Sequence, residues 1–122
     1  MEMKAQHVTG NQFTRYSTVS VTIKGIEYKN NIVVTNDKVL DFVPIEISQI
    51  TVTDLKSVID FTPDLIIFGT GDKIIYPNLN LVHTLQQMGI GVEVMPIQAL
   101  CRTFNFLVSE DRQVAAILLF TT

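Results

Sequence analysis

Two segments of this chain combine residue types and spacing suited to chemistry: Gly69-Thr70-Gly71, and Ala99-Leu100-Cys101-Arg102-Thr103-Phe104-Asn105. The first directly follows the apolar run Leu65 to Phe68, and open α/β sheets place their ligand sites at the carboxyl ends of strands. Two glycines permit positive φ and a close approach of backbone amides to a bound group, while the Thr70 hydroxyl can donate or accept. Neither phosphate fingerprint is met. A dinucleotide loop needs a glycine at position 74, which is Ile74, and no Gly-Lys-Ser/Thr follows at P-loop spacing. The segment therefore reads either as a tight packing turn or as a ligand-contacting loop, with Asp72 and Lys73 as solvated turn residues.

Cys101 is the only cysteine. Projected on a helix, Ile97, Leu100, Cys101, Phe104, Leu107 and Val108 fall within about 120 degrees of arc, which predicts a thiol on the buried stripe with little thiolate. Its place near the start of the helix and beside Arg102 would favour the thiolate if water reached it. Gln98, Arg102 and Asn105 share the opposite face. A guanidinium flanked by two amides suits a carboxylate or phosphate, and equally a solvated face or an ion pair. The candidate ligand-binding residues are thus Gly69, Thr70, Gly71, Cys101, Arg102, Thr103 and Asn105, and no catalytic set is assigned. Phe106 points away from the apolar stripe, either packed under a loop or exposed for a partner.

His83 falls on the polar side of its helix with Asn80 and Gln87, which disfavours a Cys101–His83 dyad; His7 lies in the N-terminal arm. Two distant histidines and one cysteine lack metal-ligand spacing, so no metal or cofactor is assigned.

The elements that must position these residues divide the chain in two. Thr18 to Lys24 alternates, with Val19, Val21 and Ile23 on one face; Gly25 breaks it, and Ile26 to Tyr28 resumes an extended pattern. Asn30-Asn31 turns into Ile32 to Thr35, Asn36-Asp37-Lys38 turns again, and Val39 to Val43 is limited by Pro44 to an edge or an end. A meander of short antiparallel strands is expected. Thr53 or Asp54 can cap a short helix through Ile59, which Thr62-Pro63 closes.

Leu65 to Phe68 is apolar on both faces, as in a doubly covered strand. Pro77 suits the first turn of a helix whose stripe is Leu81, Val82, Leu85 and Met88, ended by Gly89. Gly91 to Met95 is a strand, Pro96 opens a helix to about Val108, and Gln113 to Phe120 is the last strand. This β-α-β-α-β order predicts an α/β unit with largely parallel strands. Residues 1–122 are expected to form a single domain, since no repeat or linker divides them.

The totals narrow the function classes. A chain of 122 residues buries about two-thirds of its unfolded surface without metal or disulfide staples. With 47% hydrophobic and 17% charged residues, part of its surface is expected to be covered by a protein partner or a second copy. A net charge of -3 without a basic cluster argues against nucleic acid. Met1 to Gly10 has no signal-peptide or transit-peptide pattern, and the longest apolar run, Val114 to Phe120, is far below the roughly 20 residues of a membrane helix, so no membrane insertion is expected. A lone cysteine fits a reducing compartment, and the chain reads as cytoplasmic.

Pro63-Asp64-Leu65-Ile66-Ile67-Phe68-Gly69-Thr70-Gly71, Gly89-Ile90-Gly91-Val92-Glu93-Val94-Met95, and Cys101-Arg102-Thr103-Phe104-Asn105 with Val114-Ala115-Ala116 together resemble one family. It is the small-domain, MTH938-like family that includes the mitochondrial complex I assembly factor 3 and uncharacterised bacterial and archaeal proteins. Ile23-Lys24-Gly25-Ile26-Glu27-Tyr28 fits more loosely, with Phe42 where relatives commonly carry tryptophan. The resemblance implies a three-layer β/β/α domain and, in the mitochondrial relatives, a role in assembling a respiratory complex rather than catalysis. For bacterial relatives it implies no settled activity, and the chain is read as a non-enzymatic binding or assembly-factor-like module. The alternative is a small-molecule-binding or thiol-dependent enzyme using the glycine turn with Cys101 and Arg102. Many bacterial relatives place glutamine and phenylalanine before their proline, where this chain has Ile75 and Tyr76.

Overall fold

A computed structural model describes residues 10–44 and 46–120. His7 lies outside the described residues. Two sheets and three α-helices follow from the chain order: β1 (Phe13–Tyr16), β2 (Val21–Ile23), β3 (Ile26–Tyr28), β4 (Ile32–Val34), β5 (Val39–Asp41), α1 (Lys56–Asp60), β6 (Leu65–Thr70), α2 (Leu79–Gln87), β7 (Gly91–Met95), α3 (Ile97–Ser109) and β8 (Val114–Leu119).

The expected meander divides between the sheets. Strands β1-β2-β3 form an antiparallel sheet of their own, whereas β4 and β5 join the larger sheet in the order β5-β4-β8-β6-β7. Lys24 and Gly25, both at positive φ, make a two-residue turn between the paired Ile23 and Ile26, as the right-handed twist of a hairpin requires. Sequence periodicity missed β1 and misplaced Val19, which lies in the exposed turn before β2 rather than on its buried face. A turn residue can continue an alternating pattern by chance over so short a stretch.

Within the larger sheet β6, β7 and β8 run parallel, and β4 runs antiparallel to β8. Side chains alternate between two cores, since successive strand residues point to opposite faces. Ile67, Val114, Ala116, Leu118, Ile32 and Val34 meet α3 and the small sheet, while Ile66, Phe68, Ala115, Ile117, Leu119 and Val33 meet the other face with Leu81 and Leu85 of α2 and Val58 of α1. The layers are therefore the small sheet with α3, the large sheet, and α1 with α2. This is the expected three-layer α/β mixed class.

The two crossovers explain which helix lies where. The β6-α2-β7 connection moves one way along the sheet and β7-α3-β8 moves back across β6, so two right-handed crossovers put α2 and α3 on opposite faces.

Helix starts differ from expectation by a few residues. Thr51 opens the turn before α1: its N–H donates to Asp54 Oδ2 at 2.8 Å while the Asp54 N–H reaches Thr51 Oγ1 at 3.4 Å, a reciprocal cap. Asn78 caps α2, accepting from the Asn80 N–H at 2.8 Å, so Pro77 precedes the cap instead of lying in the first turn. Met88 is exposed beyond the last turn of that helix rather than on its buried stripe.

All six residues of β8 are buried, and asparagines on either side of β4 hold its ends. Asn36 Oδ1 accepts from the Val114 N–H at 2.9 Å and its Nδ2 donates to the Arg112 carbonyl at 2.8 Å. Asn31 Oδ1 accepts from the Phe120 N–H at 2.8 Å and its Nδ2 donates to the Pro44 carbonyl at 3.2 Å. Replacing Asn36 by alanine should therefore lower unfolding free energy by about 2 kcal/mol, read from the denaturant midpoint. Asn36→Asp, which retains the acceptor but not the donor, should fall between wild type and alanine; equal stability of all three would refute the clamp.

Candidate functional site

The glycine segment is not a free turn. Strand β6 continues through Gly69 and Thr70, which pair with β8 residues Leu118 and Leu119, so only Gly71 begins the loop. Gly69 faces α3, and a Cβ there would stand 2.6 Å from Leu100 Cδ1 and 3.5 Å from Ile97 Cγ1. Its missing side chain is what lets α3 settle on the sheet. Thr70 is fully buried, and its hydroxyl donates to the Lys73 carbonyl, tying the loop back on itself.

The carboxyl ends of β6 and β7 send their chains to opposite faces, the point at which an α/β sheet opens a crevice. Here that crevice is bridged by backbone. The Ile97 N–H at the start of α3 donates to the Gly71 carbonyl at 2.9 Å, occupying one of the helix amides that an anion would otherwise use.

Along α3 the expected residues separate by face. Cys101 is completely buried in the core shared with Phe104 and Ile67, and burial pushes its thiol pKa up to about 12 despite the opposing charge of Arg102. Arg102 is exposed and Thr103 half-buried. Asn105 has a structural employment: its Oδ1 accepts from the Phe13 N–H at 2.8 Å and its Nδ2 donates to the Phe13 carbonyl at 2.9 Å. The amide pairs with β1 as a neighbouring strand would. The Phe13 and Phe104 rings beside it meet edge to face, 5.1 Å between centroids and 73° between planes.

Cys101 and His83 are separated by the sheet itself. The thiol belongs to the α3 core, and α2 packs its Leu81 and Leu85 on the other face while His83 is exposed. The structure thus brings Gly69 and Gly71 against the start of α3, but holds Cys101 in the core and turns Arg102 to the surface.

Two features escaped the sequence reading. An open depression of about 550 Å³ is lined by Val43, Pro44, Glu46, Gln49 and Asp54, and its Asp54 carboxylate is already engaged by the Thr51 N–H and hydroxyl. More distinctive is the β6–α2 loop, in which Ile74 is 52% exposed, Ile75 36%, Tyr76 70% and Leu79, at the start of α2, 79%. Its signal was present in the sequence as an apolar run that begins before the helical period does.

The sequence profile described as "Protein of unknown function (DUF498/DUF598)" matches residues 13–119. The chain belongs to this family. It is 28% identical, over 76% of its length and 77% of the relative's, to a Francisella tularensis protein called "13 kDa major membrane protein". Over 46% of its length it is 41% identical to "NADH dehydrogenase [ubiquinone] 1 alpha subcomplex assembly factor 3" of Xenopus tropicalis, of which the match covers only 31%. The fold is that of a Bordetella pertussis protein described as a Mth938-like domain, with TM-score 0.79, 21% identity, and 99% of this chain and 92% of that chain covered. Among the described residues no helix is long and apolar enough to cross a membrane.

Two measurements follow from this family member's geometry. Gly69→Ala should cost about 1–3 kcal/mol through overpacking, and adding Leu100→Ala should recover part of that loss in a double-mutant cycle; additive losses would place the glycine's role elsewhere. Native Cys101 should resist iodoacetamide until denaturant exposes it. Because the folded thiol holds its proton to about pH 12 while the unfolded thiol ionises near 8.5, stability is fully present below that lower value. It should then fall by about 1.4 kcal/mol per pH unit as pH rises further. Denaturant midpoints between pH 8 and 10.5 should show this extra slope in wild type and not in Cys101→Ala.

Proposed function

We propose that the chain is a non-enzymatic binding module of the assembly-factor kind, which docks a protein partner through the β6–α2 loop. The observation that carries this reading is the exposure of Ile74, Ile75, Tyr76 and Leu79 within one short segment. Fully burying such a side chain is worth about 1.5–3 kcal/mol, and a partner that covers the exposed part of each recovers the corresponding share on docking. Aromatic and large aliphatic residues flanked by polar ones are the composition of an interface centre and its rim. Asp72, Lys73 and Asn80 supply the flanks.

The scaffold supports the same reading. Tying the loop back through Thr70 and anchoring Gly71 to the start of α3 hold its base, so docking costs less ordering entropy than a free loop would demand. The relatives named as assembly factors lend support for the part of their length they share with this chain. The depth and raised pKa of Cys101 favour binding over a thiol-dependent reaction. A buried, reduced thiol also suits residence in the cytoplasm.

Affinity capture from the native cell, run separately on soluble and membrane fractions, tests the proposal. Wild type should retain a stoichiometric protein, and the double variant Ile74→Ser, Tyr76→Ser should lose at least tenfold of it while keeping the wild-type denaturant midpoint. Capture unaffected by the substitutions would overturn loop docking.

A further inference from the structure

A second surface, independent of the loop, is the outer edge of the large sheet at β7. Among the described strands β7 pairs only with β6, and every residue of it except Glu93 is half-buried; Glu93 is exposed. The Gly91 N–H donates inward to the Asp64 carbonyl at 3.0 Å. Backbone groups alternate in direction along a strand, so Gly91, Glu93 and Met95 face β6 while Val92 and Val94 present their N–H and C=O groups to the open edge.

This register decides what can pair there. A second copy using both outward residues in an antiparallel pair would set Val92 against the other Val94, and that centre brings Glu93 opposite its own counterpart. Positions directly opposite without mutual hydrogen bonds are the closest in a sheet, about 4.5 Å between Cα atoms, and like charges there are destabilising. Sliding the pair by one register toward Met95 sets Val92 against Pro96, which has no N–H to give. A lone carboxylate at the middle of an otherwise apolar edge is a known device against self-pairing.

The same carboxylate complements a cation. Glu93 stands on the α3 side of the sheet, aligned with Ile67, whereas Val92 and Val94 turn to the other core. We propose that the β7 edge accepts an extended segment of a partner protein in antiparallel pairing, with a lysine or arginine opposite Glu93 and β-branched residues on either side of that cation. Two outward residues supply the main-chain bonds and the charge sets register, as in strand-addition recognition. The inference rests on the reading of the chain as a binding module but uses a different surface from the loop.

The probe is an acetylated nonapeptide alternating valine and threonine with a central lysine, compared with its central-glutamate twin by amide chemical-shift titration of the whole chain. The lysine peptide should shift the Val92 and Val94 amides and bind roughly tenfold more tightly than the glutamate peptide. Glu93→Lys should invert that preference, and the Ile74→Ser, Tyr76→Ser variant should keep it, which separates this edge from loop docking. Equal affinity for the two peptides, absence of shifts at Val92 and Val94, or a wild-type dimer that protects those amides would each overturn the proposal.

Discussion

The hydrogen-bonded position of β8 between β6 and β4 is the constraint on which the rest of the structure depends. All six of its residues are buried, so no ladder group of this strand can be satisfied by water and both its neighbours must be in register. The asparagines before and after β4 complete that accounting by taking the Val114 and Phe120 amides just where the ladder ends. The first half of the chain is thereby fixed to the second. Asn105 repeats the device on the outer layer, where one side-chain amide holds β1 to α3.

From this central strand follows the fate of the residues that looked chemical. Returning from β7 to β8 requires α3 to cross β6, and close contact with that strand requires a glycine at position 69. The crossing buries Cys101 against the sheet and brings the first amide of α3 to the Gly71 carbonyl. Gly69, Gly71 and Cys101, which suggest a ligand site in the linear sequence, thus serve the packing of a helix on a strand. The two surfaces proposed for recognition, the loop leaving β6 and the outer edge of β7, are ones this packing does not use.

Much of the second half was legible because its periods are strong. The stripe of α3 from Ile97 to Val108, the strand Gly91 to Met95 and the doubly apolar β8 each carry many residues of one pattern. The first half was less legible since its strands are three or four residues long, too short for alternation to separate strand from turn, as Val19 shows. Nor does local pattern tell that β3 ends one sheet while β4 begins in another. The structural partner of Asn105 was not legible for a related reason. Spacing says which side chains share a helical face, but Asn105 found its partner in Phe13, far away in the chain.

By itself, the sequence determined the family, the order of elements in the second half and the apolar stripe of α3 on which Cys101 lies, because each rests on local composition or on a helical stripe that any packing partner would cover. The tertiary structure decided that Gly69 is a contact point instead of a turn, that Asn31, Asn36 and Asn105 are backbone clamps, and that Ile74, Ile75, Tyr76 and Leu79 face solvent. These depend on long-range neighbours: a polar side chain becomes structural only when a distant backbone group needs it, and an apolar residue becomes a surface only when nothing in the chain arrives to cover it.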